Sequence, residues 1–284
     1  MTQPESHPPP HSHLLEGSPR LHYLEWNPEA RRTIVLLHGN SANAWWWEPV
    51  ARAISPEFRI LALDQRGHGD SEWVRPPSYT PADYAGDIAR LLDHASRGDE
   101  TPMVAGHSMG GLSVLAFAER HPARARAIVA IDVAVTSSRG RDRYLRRLKS
   151  LPVVTYPDLE TATARFRLMP DEGSIDAGIL REIAEKSIAR TEDGRWTLKF
   201  DRESFFGSDG LAVLEAMKKI QVPTLLVRAE HSRIMTDEAA REAEASNPLA
   251  ELVTILGAHH HVLLENPAAV AQVLETFAKN VGWA

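Results

Sequence analysis

The sequence contains no cysteine. Disulfides, thiolate nucleophiles and cysteine-ligated zinc or iron–sulfur centres are therefore excluded. An excess of positive charge is also lacking: 32 Lys and Arg stand against 38 Asp and Glu, a net charge of −6. That balance argues against a general nucleic-acid binder, whose phosphate contacts need a basic surface. No apolar run approaches the roughly 20 residues of a membrane-spanning helix. The opening MTQPESHPPPHSH lacks the positive start and apolar stretch of a secretory signal. The expectation is a soluble, cytoplasmic protein, monomer or homodimer, whose partner is a small-molecule substrate rather than a nucleic acid or a membrane.

What the sequence does hold is enough apolar material, 43% of 284 residues, for a large buried core. Residues 1–13, rich in Pro, Ser and His, cannot bury enough surface to offset their ordering entropy and are expected to form a disordered tail. His7, His11 and His13 belong to that tail and are not read as a metal site, which needs ligands held in fixed geometry. Beyond it, short apolar runs alternate with helical patterns. The runs include TIVLLH (33–38), RILALD (59–64), PMVAG (102–106), ARAIVAID (125–132), TLLVRA (224–229) and LVTILG (252–257). Such alternation predicts an α/β fold, a mostly parallel sheet with helices on both faces. Between Asp132 and Thr224 no convincing strand is legible, only helical segments such as 176–190. A structureless connection of that length is improbable in a compact domain. It is read as an inserted helical cap over residues 137–215, leaving 14–136 and 216–284 as the core.

The sharpest signal is GHSMGG (106–111), which places Ser108 between glycines after a predicted strand and before a helical run. A sharp strand-to-helix turn crowds the flanking positions, so only small residues fit there. It lifts the serine above the sheet, with the Met109 N–H directed at any developing negative charge. A second backbone N–H, from Asn40 in the HGN segment after TIVLLH, would complete an oxyanion hole. The segment GAHHHVLLENP (257–267) offers three histidines, one of which would serve a serine as proton acceptor.

These motifs, with DQRGHGDS (64–71), resemble the α/β-hydrolase superfamily in its capped branch, over essentially the whole chain from Leu21. The resemblance implies a nucleophile after strand five, an acid after strand six or seven and a histidine after strand eight. The family's G-A-G-H pattern, followed by E-x-P, selects His260 over His259. DQRGHGDS is read as a structural turn. Serine at the nucleophile position argues against the aspartate chemistry of dehalogenases and epoxide hydrolases of this fold. The usual acid position departs from the pattern: RAEHSRIM (228–235) offers Ser232 and Arg233 where an aspartate is expected. Asp132, ending ARAIVAID on the neighbour of the nucleophile strand, is the main candidate, since a carboxylate at the end of a buried strand must find a partner. Glu230 is the alternative, and an incomplete triad is the third reading.

The expected activity is hydrolysis of a carboxylic ester through an acyl-enzyme, by Ser108, His260 and Asp132, with no cofactor and no metal. An amide or enamide hydrolase of a small carboxylated substrate, a perhydrolase and a receptor with little turnover remain rivals. Two local features bear on the pocket. Trp45, Trp46 and Trp47 read mainly as core, with room for one or two at a ligand. The run 137–152 carries Arg139, Arg141, Arg143, Arg146, Arg147 and Lys149 against one acid, Asp142. It reads as a solvated helix face, or else as a source of one or two arginines clamping a substrate carboxylate.

Overall fold

The computed structural model describes residues 8–95, 97, 101–136, 138–205 and 212–282. The strands are β1 His11–Leu15, β2 Leu21–Trp26, β3 Arg32–Leu37, β4 Phe58–Asp64, β5 Met103–His107, β6 Ala127–Ile131, β7 Ile188–Arg190, β8 Trp196–Leu198, β9 Thr224–Ala229 and β10 Ala250–Ile255. Eight of them form one sheet in the order β1-β2-β4-β3-β5-β6-β9-β10. From β4 to β10 the pairings are parallel, while β1 and β2 are antiparallel to their neighbours. This is the α/β-hydrolase fold that the motifs imply.

The helices are α1 Glu48–Ala53, α2 Pro81–Ala95, α3 Met109–Arg120, α4 Arg139–Ser150, α5 Leu159–Ala164, α6 Ala177–Lys186, α7 Val213–Met217, α8 Asp237–Ala245, α9 Val262–Glu265 and α10 Pro267–Asn280. Strand side chains alternate between faces, so each central strand feeds two cores. Val35, Leu37, Val104 and Ile128 pack with α2, α3 and α8. Ile34, Leu36, Ala105 and Val129 pack with α1 and α10 on the other side. Burial on both faces is the reason these strands read as continuous apolar runs.

Two expectations need correction. The tail is shorter than 1–13: residues 11–13 belong to β1, an edge strand paired in register with β2, and His13 Nε2 lies 2.8 Å from Glu25 Oε2. Backbone pairing and this contact order a segment whose composition alone suggests disorder. Residues 1–7, and with them His7, lie outside the described residues. The stretch between β6 and β9 is not purely helical either. It carries α4, α5 and α6, then the antiparallel pair β7–β8, then α7. Strands of three residues are too short to leave a period-two signature in the sequence.

Leu36 is fully buried between β4 and β5. Its replacement by Ala is expected to lower unfolding stability by about 2–5 kcal/mol, read as a reduced midpoint with unchanged slope in urea titration.

Candidate active site

β5 ends in the turn that presents Ser108. The serine backbone sits at φ 53°, ψ −117°, and its N–H donates to Ile131 O at 2.8 Å, tying the turn to β6. The glycines around it are required by contact rather than by flexibility. A Cβ on Gly106 would lie 2.3 Å from Gly110 O, and one on Gly110 would lie 2.3 Å from Leu37 O. Met109 opens α3, so its N–H belongs to the first helical turn, which has no acceptor within the helix. Asn40 stands opposite. Its Nδ2 approaches Met109 Sδ (3.6 Å) and Ser204 O (3.4 Å).

The HGN loop is held from below by the DQRGHGDS turn. Gln65 N–H donates to His38 Nε2 (3.0 Å), and Gln65 Nε2 donates to His38 O (2.7 Å). Ser113 of α3 donates to Gln65 Oε1 (2.7 Å). Asp64 accepts from Ala44 N–H, Asp70 N–H and His22 Nδ1, and Arg66 makes paired bonds to Asp87. His22, Asp64 and Asp70 stand close enough to share a cation. Their oxygens are already committed, however, Asp64 to these donors and Asp70 to Lys199 at 2.7 Å.

Of the candidate acids, Asp132 is the one that the structure brings to His260. β6 ends at Ile131, and Asp132 turns away from the strand at φ 48°, a left-handed conformation that aspartate tolerates better than most side chains. Its N–H still donates to Val227 O of β9 (2.7 Å). The fully buried carboxylate accepts from His260 Nδ1 at 2.6 Å, from Ser232 Oγ at 2.5 Å and from Ala229 N–H at 3.2 Å. Ser232, at the family's usual acid position, therefore supplies a hydroxyl to a carboxylate borrowed from the adjacent strand. It is itself fixed by donors, the N–H groups of Ile234 (3.0 Å) and Met235 (3.3 Å). Glu230 is engaged elsewhere, accepting from Gly257 N–H at 2.7 Å. His259 is likewise occupied, its ring 3.1 Å from Glu265 and its N–H donating to the same carboxylate.

Three imidazoles crowd this end of the sheet. The His260 ring centre lies 4.7 Å from that of His107 and 5.3 Å from that of His261. His107, the residue before Ser108, donates through Nε2 to His260 O (2.7 Å) and so anchors the histidine loop to the elbow. Position 107 carries no catalytic signature, so only the contact reveals this role. Burial lowers the pKa of all three: His260 and His261 to about 4, and His107 well below its usual range. Burial raises Asp132 to about 6, opposed by the donors from Ser232 and Ala229. At neutral pH the pair is a neutral imidazole beside an ionised carboxylate.

A cavity of about 1120 Å³ opens above these groups, lined by Ser108, His260, Asn40 and Met109 from the core. From the stretch between β6 and β9, α4, residues 169–171, Phe205 and α7 line it as well. The insert also grips the histidine loop directly. His261 Nε2 lies 2.9 Å from Pro170 O, and His260 N–H donates to Glu172 Oε1 (3.3 Å). Of the three tryptophans, Trp46 faces the cavity and donates to Ser187 Oγ (3.2 Å), Trp47 is core, and Trp45 lies under the Lys186 ammonium. Among the described residues no arginine clamp is found. Arg139, Arg143, Arg146 and Arg147 are exposed and absent from the lining, Lys149 pairs with Glu203, and the Arg141 side chain lies outside the described residues.

Replacing Gly110 with Val would place a side chain against the Leu37 and His38 carbonyls. The expected result is loss of nucleophile labelling by a fluorophosphonate, with the circular dichroism spectrum retaining its helical content.

The family model for the alpha/beta hydrolases matches residues 34–273. A 2-(acetamidomethylene)succinate hydrolase of Mesorhizobium japonicum is 25% identical over 259 residues, 86% of this chain and 87% of that one. A carboxylesterase of Bacillus subtilis is 26% identical over 275 residues, 91% of this chain and 84% of that one. A crystal structure of E-2-(acetamidomethylene)succinate hydrolase is similar at a TM-score of 0.81 and 25% identity, covering 95% of this chain and 99% of that one.

Proposed function

The chain belongs to the alpha/beta hydrolase family, and from that premise we propose that it hydrolyses carboxylic esters through an acyl-enzyme, with Ser108, His260 and Asp132 as its triad. The observation that carries this reading is the 2.6 Å bond between His260 Nδ1 and the buried Asp132 carboxylate, beneath a cavity that both Ser108 and His260 line. With Nδ1 engaged, the Nε2 lone pair serves the serine. Ser108 Oγ attacks the acyl carbon as its proton passes to His260 Nε2, and Asp132 stabilises the resulting imidazolium. The tetrahedral oxyanion accepts from the N–H groups of Asn40 and Met109. Collapse expels the alcohol, which takes the proton from His260. A water molecule, deprotonated by the same nitrogen, then releases the acid and restores the serine.

Amide or enamide cleavage would use the same groups, and one similar protein is named for an acetamidomethylene substrate. The carboxylesterase relative favours the ester, and the uncharged face that α4 turns to the cavity speaks against a carboxylated amide substrate.

Two experiments test the assignment. On p-nitrophenyl acyl esters, Ser108→Ala and Asp132→Asn are expected to lose about 10³-fold or more in kcat, and Glu230→Gln to stay within about 3-fold of wild type. Equal rates for wild type and Ser108→Ala would sink the enzymatic reading. The second is a pH profile. Activity needs neutral His260 and ionised Asp132, so kcat/KM is expected to be full near neutral pH, to be about half-maximal near pH 6 as Asp132 protonates, and to be lost as the pH falls toward about 4. Ser232→Ala removes a donor that favours the ionised carboxylate, and the acid limb is expected to move to higher pH.

A further inference from the structure

The insert turns an amphipathic helix toward the reacting groups. On α4, Gly140, Tyr144, Leu145 and Leu148 line the cavity, a single face at helical spacing, while Arg143, Arg146 and Arg147 point to solvent from the opposite face. Across from α4 stand Val213 and Leu214 of α7, with Leu112, Val135 and Ile234 contributed by the core. Among the described residues no lysine or arginine lines this space. The charged groups that do are acidic: Asp171, and Glu215, which is paired with Lys218 at 2.7 Å. The imidazoles at the floor are held neutral by burial and offer no compensating cation.

We infer that this cavity selects an electrically neutral ester with a hydrophobic body and turns away substrates that carry a carboxylate; this specificity rests on the ester-hydrolase reading of the same site. A carboxylate entering here would give up its hydration with no guanidinium or ammonium among the described lining residues to receive it, and would meet the Asp171 carboxylate. A methylene chain, by contrast, leaves water for contact with Leu145, Leu148, Val213 and Leu214. The volume, about 1120 Å³, accommodates far more than an acetyl group. The contrast with the similar succinate-derivative hydrolase is chemical: that substrate name denotes two carboxylates, and the lining seen here answers neither.

The decisive comparison is a matched pair of equal chain length, p-nitrophenyl octanoate and the p-nitrophenyl half-ester of suberic acid, with the acetate and butyrate esters as a length series. Wild type is expected to gain about 2- to 4-fold in kcat/KM per methylene up to octanoate. The half-ester is expected to be poorer than octanoate by about 100-fold. A half-ester turned over as well as octanoate overturns the inference. Leu148→Arg places a cation on the lining, and in folded protein it should narrow the gap by about 10-fold; an unchanged gap also overturns it. Calorimetric titration of Ser108→Ala with neutral 2-nonanone and with the 8-oxononanoate anion, the same ketone carrying a carboxylate at its far end, separates the pocket from the chemistry. Binding of the ketone alone supports the specificity even if no ester is hydrolysed, which would defeat only the catalytic reading. Equal binding of ketone and anion defeats the specificity even in an active esterase.

Discussion

A single buried carboxylate organises this end of the molecule. Asp132 has no access to solvent, and an ion in that position is tolerable only with donors around it. It has them from three directions: the His260 imidazole, the Ser232 hydroxyl and the Ala229 N–H. Each donor belongs to a different part of the chain from β6. The carboxylate therefore joins the end of β6, the loop after β9 and the histidine loop after β10. Its left-handed backbone, at φ 48°, is the local strain accepted for that convergence. Moving the acid one strand over costs little reach, because neighbouring strands are about 4.8 Å apart. The loop after β9 keeps a part in the network through Ser232, which donates where a carboxylate would otherwise stand.

The same crowding governs the electrostatics. His107 donates to the carbonyl of His260, so the residue beside Ser108 fixes the backbone of His260. Imidazolium forms of His107 and His261 would sit beside His260 in a desolvated space, and burial suppresses both. Burial lowers His260 as well, but of the three rings it is the one bonded to a carboxylate. The insert reaches this network too. Its Pro170 carbonyl and Glu172 carboxylate accept from the histidine loop, and Gly173 leaves no room for a Cβ beside Glu265, the partner of His259. The segment between β6 and β9 is thus joined by hydrogen bonds to the loop that carries His260.

Much of this was legible along the chain. Strands buried on both faces are apolar almost throughout, and five of the eight strands of the main sheet, β3, β4, β5, β6 and β9, stood out for that reason, with the apolar edge strand β10 beside them. The elbow was legible because steric crowding at Gly106 and Gly110 leaves so little choice of residue. The edge strand β1 and the β7–β8 pair were not. β1 is half polar and is ordered by its neighbour, and three-residue strands leave no periodicity. The arginines of α4 show a related limit. Their number is plain in the sequence, but which face of the helix meets the cavity is set by how α4 lies on the core.

The sequence by itself determined the fold class, the position of Ser108, and the short set of histidines and acids that could serve it, because these follow from local pattern, spacing and chemistry. Tertiary structure decided among them. His260 rather than His259 meets Asp132, Glu230 turns to Gly257, and Ser232 and His107 take positions in the network that no motif announces. The physical reason is that a hydrogen bond between residues 128 positions apart depends on where two strands and two loops end in space. Spacing along the chain carries no record of that distance.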